Sequence, residues 1–283
     1  MLLGAHVSTS GGLDRAPLNG KAIGCTAIQI FTKNQRQWSA SPIGDAEAGL
    51  YFKNLKTSGI EAVVSHDSYL INMASPDPVM RKKSVTAFID EIRRAELLRL
   101  QGLVFHPGSH MGAGEGNGVA RMVESLNAAL SEAGGSVALL FETTSGQGTN
   151  LGWRFAHLRD MLAGVSSPSR FGVCLDTCHL HGAGYDLTRQ SAYEKTLSEL
   201  DCEVGLVRVR CIHVNDSKHP LGSRKDRHDN IGKGLMGHAV FKFIMNDARF
   251  RSVPKILETP GGDEAYIQDM KTLRKLVKKV ERP

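Results

Sequence analysis

Short runs of apolar residues, many of them β-branched, recur along the whole chain and predict buried strands. Each run is roughly four to seven residues long and mostly continuous rather than alternating, which is typical of strands covered on both faces in a parallel sheet. The runs are residues 2–7, 27–32, 62–66, 103–106, 137–142, 172–176, 211–214 and 255–258.

Segments with helical periodicity lie between these runs. Three of them place apolar residues close to the 3.6-residue repeat of an amphipathic helix, at residues 78–100, 119–130 and 265–280. Weaker helical patterns occupy residues 13–23, 45–58, 155–162, 192–200 and 238–245.

The alternation of eight strand and eight helix candidates predicts repeated βαβ units and a parallel sheet. Eight units in 283 residues, ending in a helix, favour an α/β protein of the closed (β/α)₈ or TIM-barrel type. An open doubly wound sheet is the alternative. Because no linker or shift in composition divides the chain, we expect residues 1–283 to form a single TIM-barrel domain.

Composition narrows the class of protein further. Hydrophobic residues make up 41% of the chain and charged residues 23%, which excludes disordered, collagen-like and coiled-coil chains. No apolar run approaches the ~20 residues needed to cross a bilayer, so no membrane partner is expected. The five cysteines are widely spread, which favours reduced thiols and a cytoplasmic location. A net charge of +6 permits a nucleic-acid partner without requiring one.

Metal-capable side chains stand at or near the ends of six successive apolar runs. They are His66, His106, Glu142, Asp176, His213 and Glu258. In a barrel these ends converge on the C-terminal face of the strands, where barrel active sites lie. His179 follows Asp176 by three residues, and the long irregular stretch 216–237 adds Asp226 and His228.

The nine candidate ligands comprise five histidines, two aspartates and two glutamates. A lone histidine at a strand end is usually a hydrogen-bonded core residue, but four carboxylates buried together without a cation would be strongly destabilising. Imidazole and carboxylate ligands suit zinc or a related metal. At three to four protein ligands per ion, nine ligands predict two or three ions.

Eight motifs in this chain closely resemble those of endonuclease IV, the family of apurinic/apyrimidinic (AP) endonucleases. They are FTKNQRQW at 31–38, HDSYLIN at 66–72, FHPGS at 105–109, ETTSGQG at 142–148, LDTCH at 175–179, HVND at 213–216, GSRKDRH at 222–228 and LETP at 257–260. The likeness runs from Gly4 to about Pro260. One departure is Thr143, where the family commonly has Asn, and this puts a supporting hydrogen bond in doubt.

The resemblance implies a (β/α)₈ barrel with three Zn²⁺ ions and divides the ligands among them. His66 and His106 would bind one ion, with Glu142 bridging to the second. Asp176, His213 and Glu258 would complete the second site, and His179, Asp226 and His228 would hold the third. Glu142 and Glu258 are the expected catalytic residues.

The function implied by the resemblance is a zinc-dependent AP endonuclease in base excision repair, a deoxyribonuclease IV of the phage-T4-induced type. It would hydrolyse the phosphodiester bond 5′ to an abasic site and leave a 3′-hydroxyl and a 5′-deoxyribose phosphate. Zinc lowers the pKa of a bound water toward about 7 and so makes it a nucleophile near neutral pH. The expected partner is double-stranded DNA containing abasic sites, bound by a monomer.

Two sets of residues are expected to contact DNA. The resemblance implies that Arg36, Tyr69 and Leu70, on the loops after the second and third strands, enter the duplex. Basic residues expected to contact phosphates are Lys33, Arg224 and Arg227, with Lys225 and Lys233 beside them in the chain.

A TIM-barrel sugar isomerase or epimerase that uses divalent metals is the alternative function. Such enzymes share the architecture and the carboxylates at strand ends. They generally need fewer histidines, no third metal site and no basic loop, so the Asp226–His228 pair and the DNA-contact set favour the nuclease.

Overall fold

Eight parallel strands close into a barrel in the computed structural model, which describes residues 1–278. The barrel strands are β1 (Leu3–His6), β2 (Ala27–Phe31), β3 (Ala62–His66), β4 (Gly102–Phe105), β5 (Ala138–Glu142), β6 (Phe171–Asp176), β7 (Val209–His213) and β10 (Lys255–Leu257). Neighbours follow chain order, and β10 pairs with β1 to close the ring. The predicted TIM barrel is confirmed and the open sheet is excluded.

Helices cover the outside of the barrel. They are α1 (Ala16–Ala22), α2 (Asp45–Ser58), α3 (Pro78–Leu97), α4 (Glu115–Ala133), α5 (Phe155–Gly164), α6 (Thr177–Ala183), α7 (Gln190–Glu203), α8 (His238–Asn246) and α9 (Gly262–Leu276). All eight predicted helices are present, although Val280 of the last one lies outside the described residues. The short α6 was not predicted, because its sequence, TCHLHGA, shows no repeat of apolar residues. Among residues 1–278, no helix has the length and apolar character to span a membrane.

Side chains along the barrel strands alternate between the surrounding helices and the barrel axis. Large apolar residues such as Ile30, Leu103 and Phe141 belong to the cluster that packs beneath the helices. A second, separate cluster fills the amino-terminal half of the barrel interior, and we call it the lower layer. It contains Ala27, Ala62, Val64, Val104, Ala138, Leu140, Cys174, Cys211 and Ile256.

The next inward-facing positions along the strands, two residues further on, are polar. Two residues after Val64, Leu140 and Ile256 come His66, Glu142 and Glu258. We call this set the upper layer: it contains Gln29, His66, His106, Glu142, Asp176, His213 and Glu258. The register of the sheet places it at the carboxyl ends of the strands, where β6 and β7 pair Asp176 with His213. The barrel therefore presents predicted metal ligands above an apolar floor.

The long segment after β7 is anchored to the barrel. It contains a small antiparallel ribbon of β8 (Asp216–Ser217) and β9 (His228–Asp229). The buried Asp216 carboxylate accepts hydrogen bonds from the backbone N–H groups of Gly232 at 3.0 Å and Met236 at 3.1 Å. The Asp269 carboxylate on α9 accepts one from Ile231 N–H at 3.1 Å. These bonds hold the segment that carries Asp226 and His228 over the barrel mouth.

Candidate metal centre

All nine predicted ligands lie together at the mouth of the barrel and form three adjoining groups. The groups are His66, His106 and Glu142; Glu142, Asp176, His213 and Glu258; and His179, Asp226 and His228. Within each group, one ligand atom from every residue lies within 4.8 Å of the others. Most of the nine residues are buried or nearly so, so the barrel holds a concentration of ionisable groups that a cation would stabilise.

Glu142 stands at the centre of these groups, and its two carboxylate oxygens face different partners. Oε2 lies 2.9 Å from His66 Nε2 and 3.1 Å from His106 Nε2. Oε1 lies 2.9 Å from His213 Nδ1. Two ligand atoms on one tetrahedral zinc are about 3.3 Å apart. The spacing therefore fits a carboxylate that bridges two ions.

Asp176 connects the second group to the third. Its Oδ2 lies 3.9 Å from His213 Nδ1 and 3.6 Å from His228 Nε2. Asp226 closes the third group, with Oδ2 at 3.1 Å from His179 Nε2 and Oδ1 at 3.4 Å from His228 Nε2. The short α6 begins directly after Asp176, and its first turn brings His179 into this position.

Hydrogen bonds identify which ring nitrogen of three histidines is free to bind a cation. The Nδ1–H groups of His66 and His179 donate to the carbonyl oxygens of Asp67 at 2.8 Å and Thr143 at 2.7 Å. A nitrogen that donates in this way leaves the other nitrogen with a lone pair. His213 is reversed, because its Nε2 bonds the amide oxygen of Gln29 at 2.8 Å and leaves Nδ1 as the ligand atom.

An unpartnered atom at the site also fits a cation. Within residues 1–278, the buried Nε2 of His228 has no hydrogen-bond partner. It nevertheless points at the carboxylates of Asp176 and Asp226. An imidazole nitrogen directed at two carboxylates is the arrangement expected of ligands that share an ion. The donor set and its geometry therefore fit a transition-metal cluster such as zinc.

The electrostatics of the site follow from burial and close pairing. Burial alone would raise the pKa of Glu142, but the imidazoles of His213 and His106 outweigh it and hold the pKa well below its usual range. Burial would lower the pKa of His66, but Glu142 outweighs it and raises the pKa to about 9. Close pairing thus favours an ionised Glu142 carboxylate and a protonated His66 imidazole. A bound metal ion would take the place of the His66 proton.

Three further residues orient the ligands, and two of them, Gln29 and Asn215, were missed by the sequence analysis. The amide oxygen of Gln29 accepts a hydrogen bond from His213 Nε2, and its Nε2 donates one to Glu258 Oε1 at 2.6 Å. Asn215 donates to Asp176 Oδ2 at 2.7 Å and accepts from the backbone N–H of Glu258 at 2.8 Å. His6 Nδ1 lies 3.2 Å from Glu258 Oε1. His6 stands at the end of the first predicted strand, on the face expected for the site, and the signal for Gln29 was a single polar residue inside an otherwise apolar run.

Thr143, the departure from the family motif, has a supporting role in this chain. Its hydroxyl accepts a hydrogen bond from the backbone N–H of Asp176 at 2.9 Å, and its carbonyl accepts from His179. The residue after the central glutamate therefore helps to position ligands of both the second and third groups, although it is not asparagine.

The residues expected to probe the duplex border the mouth. Tyr69 is 58% exposed, and its ring centroid lies 5.5 Å from that of His66 and 6.1 Å from that of His106. Leu70 is half-buried beside it, and Arg36 is exposed on the loop after β2. An exposed aromatic side chain next to the ligands is positioned to meet a bound substrate.

The basic residues of the long segment lie on one side of the mouth. Arg227 is exposed, and Arg224 is half-buried with its guanidinium carbon 3.4 Å from the ring centroid of Trp153. Arg224, Lys225 and Arg227 line a shallow pocket with His219 and Gln147. This stacking holds Arg224 in place while its pocket-facing side remains available to an anion.

The prediction that Lys33 contacts a DNA phosphate is wrong. Its Nζ is buried, lying 2.7 Å from Asp90 Oδ2 and 3.4 Å from Glu91 Oε1 of α3. The sequence shows the positive charge but not its two acceptors, which lie more than fifty residues away. Arg94 of the same helix also donates to the Thr32 carbonyl at 3.2 Å. Both cations therefore fasten the start of the loop that carries Arg36.

Comparison with known proteins places the chain among close relatives. A family model described as "Xylose isomerase-like TIM barrel" matches residues 19–276. Probable endonuclease 4 of Geobacter sulfurreducens is 45% identical over 98% of this chain and 95% of its own length. Probable endonuclease 4 of Geotalea daltonii is 47% identical over 98% of each chain.

Comparison with solved structures finds a member of the same family and, at lower sequence identity, other proteins with the same fold. The crystal structure of endonuclease IV from Thermus thermophilus superposes with a TM-score of 0.87 at 35% identity, covering 98% of both chains. A D-tagatose 3-epimerase-like protein superposes with a TM-score of 0.73 at 17% identity, covering 98% of this chain and 97% of its own. The second likeness concerns the fold alone.

Proposed function

This chain belongs to the endonuclease IV family, and we propose that it is a zinc-dependent AP endonuclease of the deoxyribonuclease IV (phage-T4-induced) type. It would hydrolyse the phosphodiester bond 5′ to an abasic site in double-stranded DNA, leaving a 3′-hydroxyl and a 5′-deoxyribose phosphate for base excision repair. The observation that carries this proposal is the central Glu142, whose two oxygens face two different groups of ligands.

The chain's own residues would hold up to three zinc ions in the three groups described above. Zinc in such a cluster supplies Lewis acidity, which polarises a phosphate and lowers the pKa of water. Glu142 would keep two ions adjacent, and Glu258 would complete the second ligand group beside His213, 3.2 Å away. Gln29 and Asn215 hold these carboxylates and imidazoles in a single orientation, so little reorganisation is needed when substrate binds.

Lesion recognition would use the exposed residues around the mouth. A missing base removes stacking and pairing, so the sugar–phosphate unit can leave the duplex at lower cost there. Tyr69 and Leu70 would occupy the space in the base stack, and Arg36 would reach in from the neighbouring loop. Because Tyr69 lies beside His66 and His106, filling the gap places the abasic nucleotide over the ligands.

Phosphate contacts would come from Arg224 and Arg227 on the long segment. Arg224 is already oriented by its stacking on Trp153, which lowers the entropy lost when it binds a phosphate. Contacts of this kind release counterions. We therefore expect the affinity for abasic DNA to fall steeply with salt, and a flat salt response would argue against this surface.

The decisive experiment is incubation of the protein with a duplex that contains one abasic site. We expect cleavage that is sensitive to EDTA, restored by zinc, and absent from the matched undamaged duplex. Mass analysis of the products should find a 3′-hydroxyl on one side and a 5′-deoxyribose phosphate on the other. Isomerisation of ketose or aldose sugars without nicking would instead support the sugar-isomerase alternative.

Two further properties belong to the same proposal. Elemental analysis should find ~3 zinc ions per chain, at three to four protein ligands per ion, and a value near one would contradict the trinuclear cluster. All nine ligands come from one chain, so we propose that the monomer is active. Sedimentation under assay conditions measures this directly.

A further inference from the structure

Two cysteine side chains lie next to each other inside the barrel, directly below the upper layer. Cys174 on β6 and Cys211 on β7 are register partners in the sheet. Both are free thiols with no exposed surface. They belong to the lower layer, whose other members are hydrocarbon side chains. The proposed nuclease has no use for either thiol.

The two sulfur atoms share a third potential ligand with the site above. Cys174 Sγ, Cys211 Sγ and a ring nitrogen of His213 all lie within 4.8 Å of one another. Two sulfur ligands on a tetrahedral ion are about 3.8 Å apart, so small side-chain rotations would bring the set to binding distance. Two thiolates and one imidazole are a known zinc-type ligand set with an open fourth position.

The chemistry of this set differs from that of the upper layer. The upper layer offers carboxylate oxygens and imidazoles, which are hard or borderline ligands, whereas thiolates prefer soft cations. His213 belongs to both sets because it stands between Glu142 and the cysteine pair. A soft ion bound to the cysteines would therefore compete with the upper layer for His213.

The thiols share the barrel interior with buried apolar side chains, among them Val64, Val104 and Ile256. The upper-layer ligands Asp176 and His213 stand two residues further along the same strands as the two cysteines. An ion that enters from the barrel mouth therefore meets those ligands first. Cys25 and Cys202 lie in none of the ligand groups found within residues 1–278, and Cys178 belongs to a group with Asp176 and His228, so only Cys174 and Cys211 bring two sulfur atoms to one group among those residues.

We propose that Cys174, Cys211 and His213 form a binding site for a thiophilic cation such as Cd²⁺, which adjoins the cluster of the proposed nuclease and shares His213 with it. Two sulfur–metal bonds form as the two thiols release their protons to solvent, so no oxidant or reductant is needed. Occupation of this site withdraws His213 from the second ligand group. The barrel would thus bind borderline ions above and soft ions below.

The test is a Cd²⁺ titration of the full-length protein, both as purified and after treatment with a chelator. Formation of the site should give a thiolate-to-cadmium charge-transfer absorption together with proton release. We expect the chelated protein to develop this absorption at lower Cd²⁺ concentration than the protein as purified, because resident metals hold His213. Absence of the absorption in the chelated, folded protein would overturn the proposal.

Single substitutions identify the ligands. Cys174→Ala and Cys211→Ala should each lose the absorption, whereas the buried Cys25→Ala and the exposed Cys202→Ser should retain it. Circular dichroism without Cd²⁺ checks folding, and Cys174→Ser provides a second variant of nearly native volume. Absorption that persists in folded variants of both Cys174 and Cys211, or that disappears only in Cys178→Ala or Cys202→Ser, would overturn the assignment. The readout does not depend on DNA cleavage, so it can succeed or fail independently of the nuclease proposal.

Discussion

The lower and upper layers of the barrel interior are built on the same strands and in the same inward register, yet they have opposite chemistry. Val64, Leu140 and Ile256 form part of the apolar floor. Two residues further along, His66, Glu142 and Glu258 form part of the ligand cluster. A step of two residues, about 6.6 Å along a strand, separates a region that stabilises the fold from one that carries chemistry.

This difference shows how the barrel can tolerate so many buried ionisable groups. Burying apolar side chains in the lower layer stabilises the fold by about 25 cal/mol for each Å² removed from water. The upper layer instead requires opposite charges or metal ions to offset the desolvation of its carboxylates. Substitutions in the two layers should therefore separate catalysis from stability.

The largest expected effect is on cleavage, from a substitution in the upper layer. Glu258→Gln keeps the shape of the side chain but removes a charged ligand beside His213. We expect nicking of abasic DNA to fall by a factor of about 10³ or more, since both metal binding and electrostatic stabilisation are weakened. Initial rates measure this, and circular dichroism should remain native. The exposed Glu264→Gln is the control, and near-native cleavage by the Glu258 variant would contradict the assigned role.

The matched substitution in the lower layer should affect stability instead. Leu140→Ala leaves every metal ligand in place but creates a cavity in the fully packed floor. We expect the free energy of unfolding to fall by about 2–5 kcal/mol, as measured by urea denaturation, while cleavage per folded molecule changes little. The control is Leu97→Ala at a half-exposed position on α3, where the free energy of unfolding should fall far less. Equal losses in the two variants would mean that the floor is not a specific core.

A smaller effect is expected where the two layers meet. Gln29 lies in the middle of β2, two residues after Ala27 of the lower layer, and holds both His213 and Glu258 by hydrogen bonds. Gln29→Leu removes both contacts, so metal affinity should fall about 10- to 100-fold. Competition with a chelator measures the affinity, and the exposed Gln268→Leu is the control. An unchanged affinity in the Gln29 variant would show that the ligands orient themselves without it.

The smallest effect concerns a charge at the opposite end of the barrel. Lys255 begins β10, and its buried amine donates to the carbonyls of Phe250 and Val253. Burial lowers its pKa to about 8, below the value of about 10.4 in an unfolded chain. Between these values the unfolded state binds more protons, so folding stability should rise with pH. From pH 7.5 to 9.5 the rise should be about 1–2 kcal/mol.

Urea denaturation at the two pH values measures the contribution of Lys255 to stability as the difference between the wild-type protein and Lys255→Met. The rise should be missing from Lys255→Met and present in the exposed control Lys271→Met. If wild type and Lys255→Met show the same pH dependence over this range, the amine is not the group responsible.

Much of the fold was predictable because strands buried on both faces and amphipathic helices leave strong patterns in a chain. The run at 62–66 and the strand Ala62–His66 coincide. The helix predicted at 78–100 ends three residues early, at Leu97, where the chain turns through Arg99 with a positive φ of 52°. The short α6 left no such pattern, and only its packing against the barrel mouth defines it.

The candidate site was predictable in its ligands but not in their support. Six ligands follow apolar runs that the sequence displays, so topology alone brings them to one face. Lys33 was misassigned because its partners, Asp90 and Glu91, come from a helix that meets it only after the barrel closes. Gln29 was missed because a single polar residue in a strand does not reveal which ligands it will touch.

The sequence by itself determined the order of strands and helices and the residue types available at each strand end, because these depend on local patterning. Only the tertiary structure decided which atoms meet. The two oxygens of Glu142 contact different imidazoles. The hydrogen bond from His213 Nε2 to Gln29 leaves Nδ1 as the nitrogen that can bind a metal ion. Cys174 and Cys211 are neighbours because β6 and β7 pair in this register. These contacts join residues distant in the chain, and they depend on how the closed barrel aligns neighbouring strands. A linear pattern does not contain that alignment.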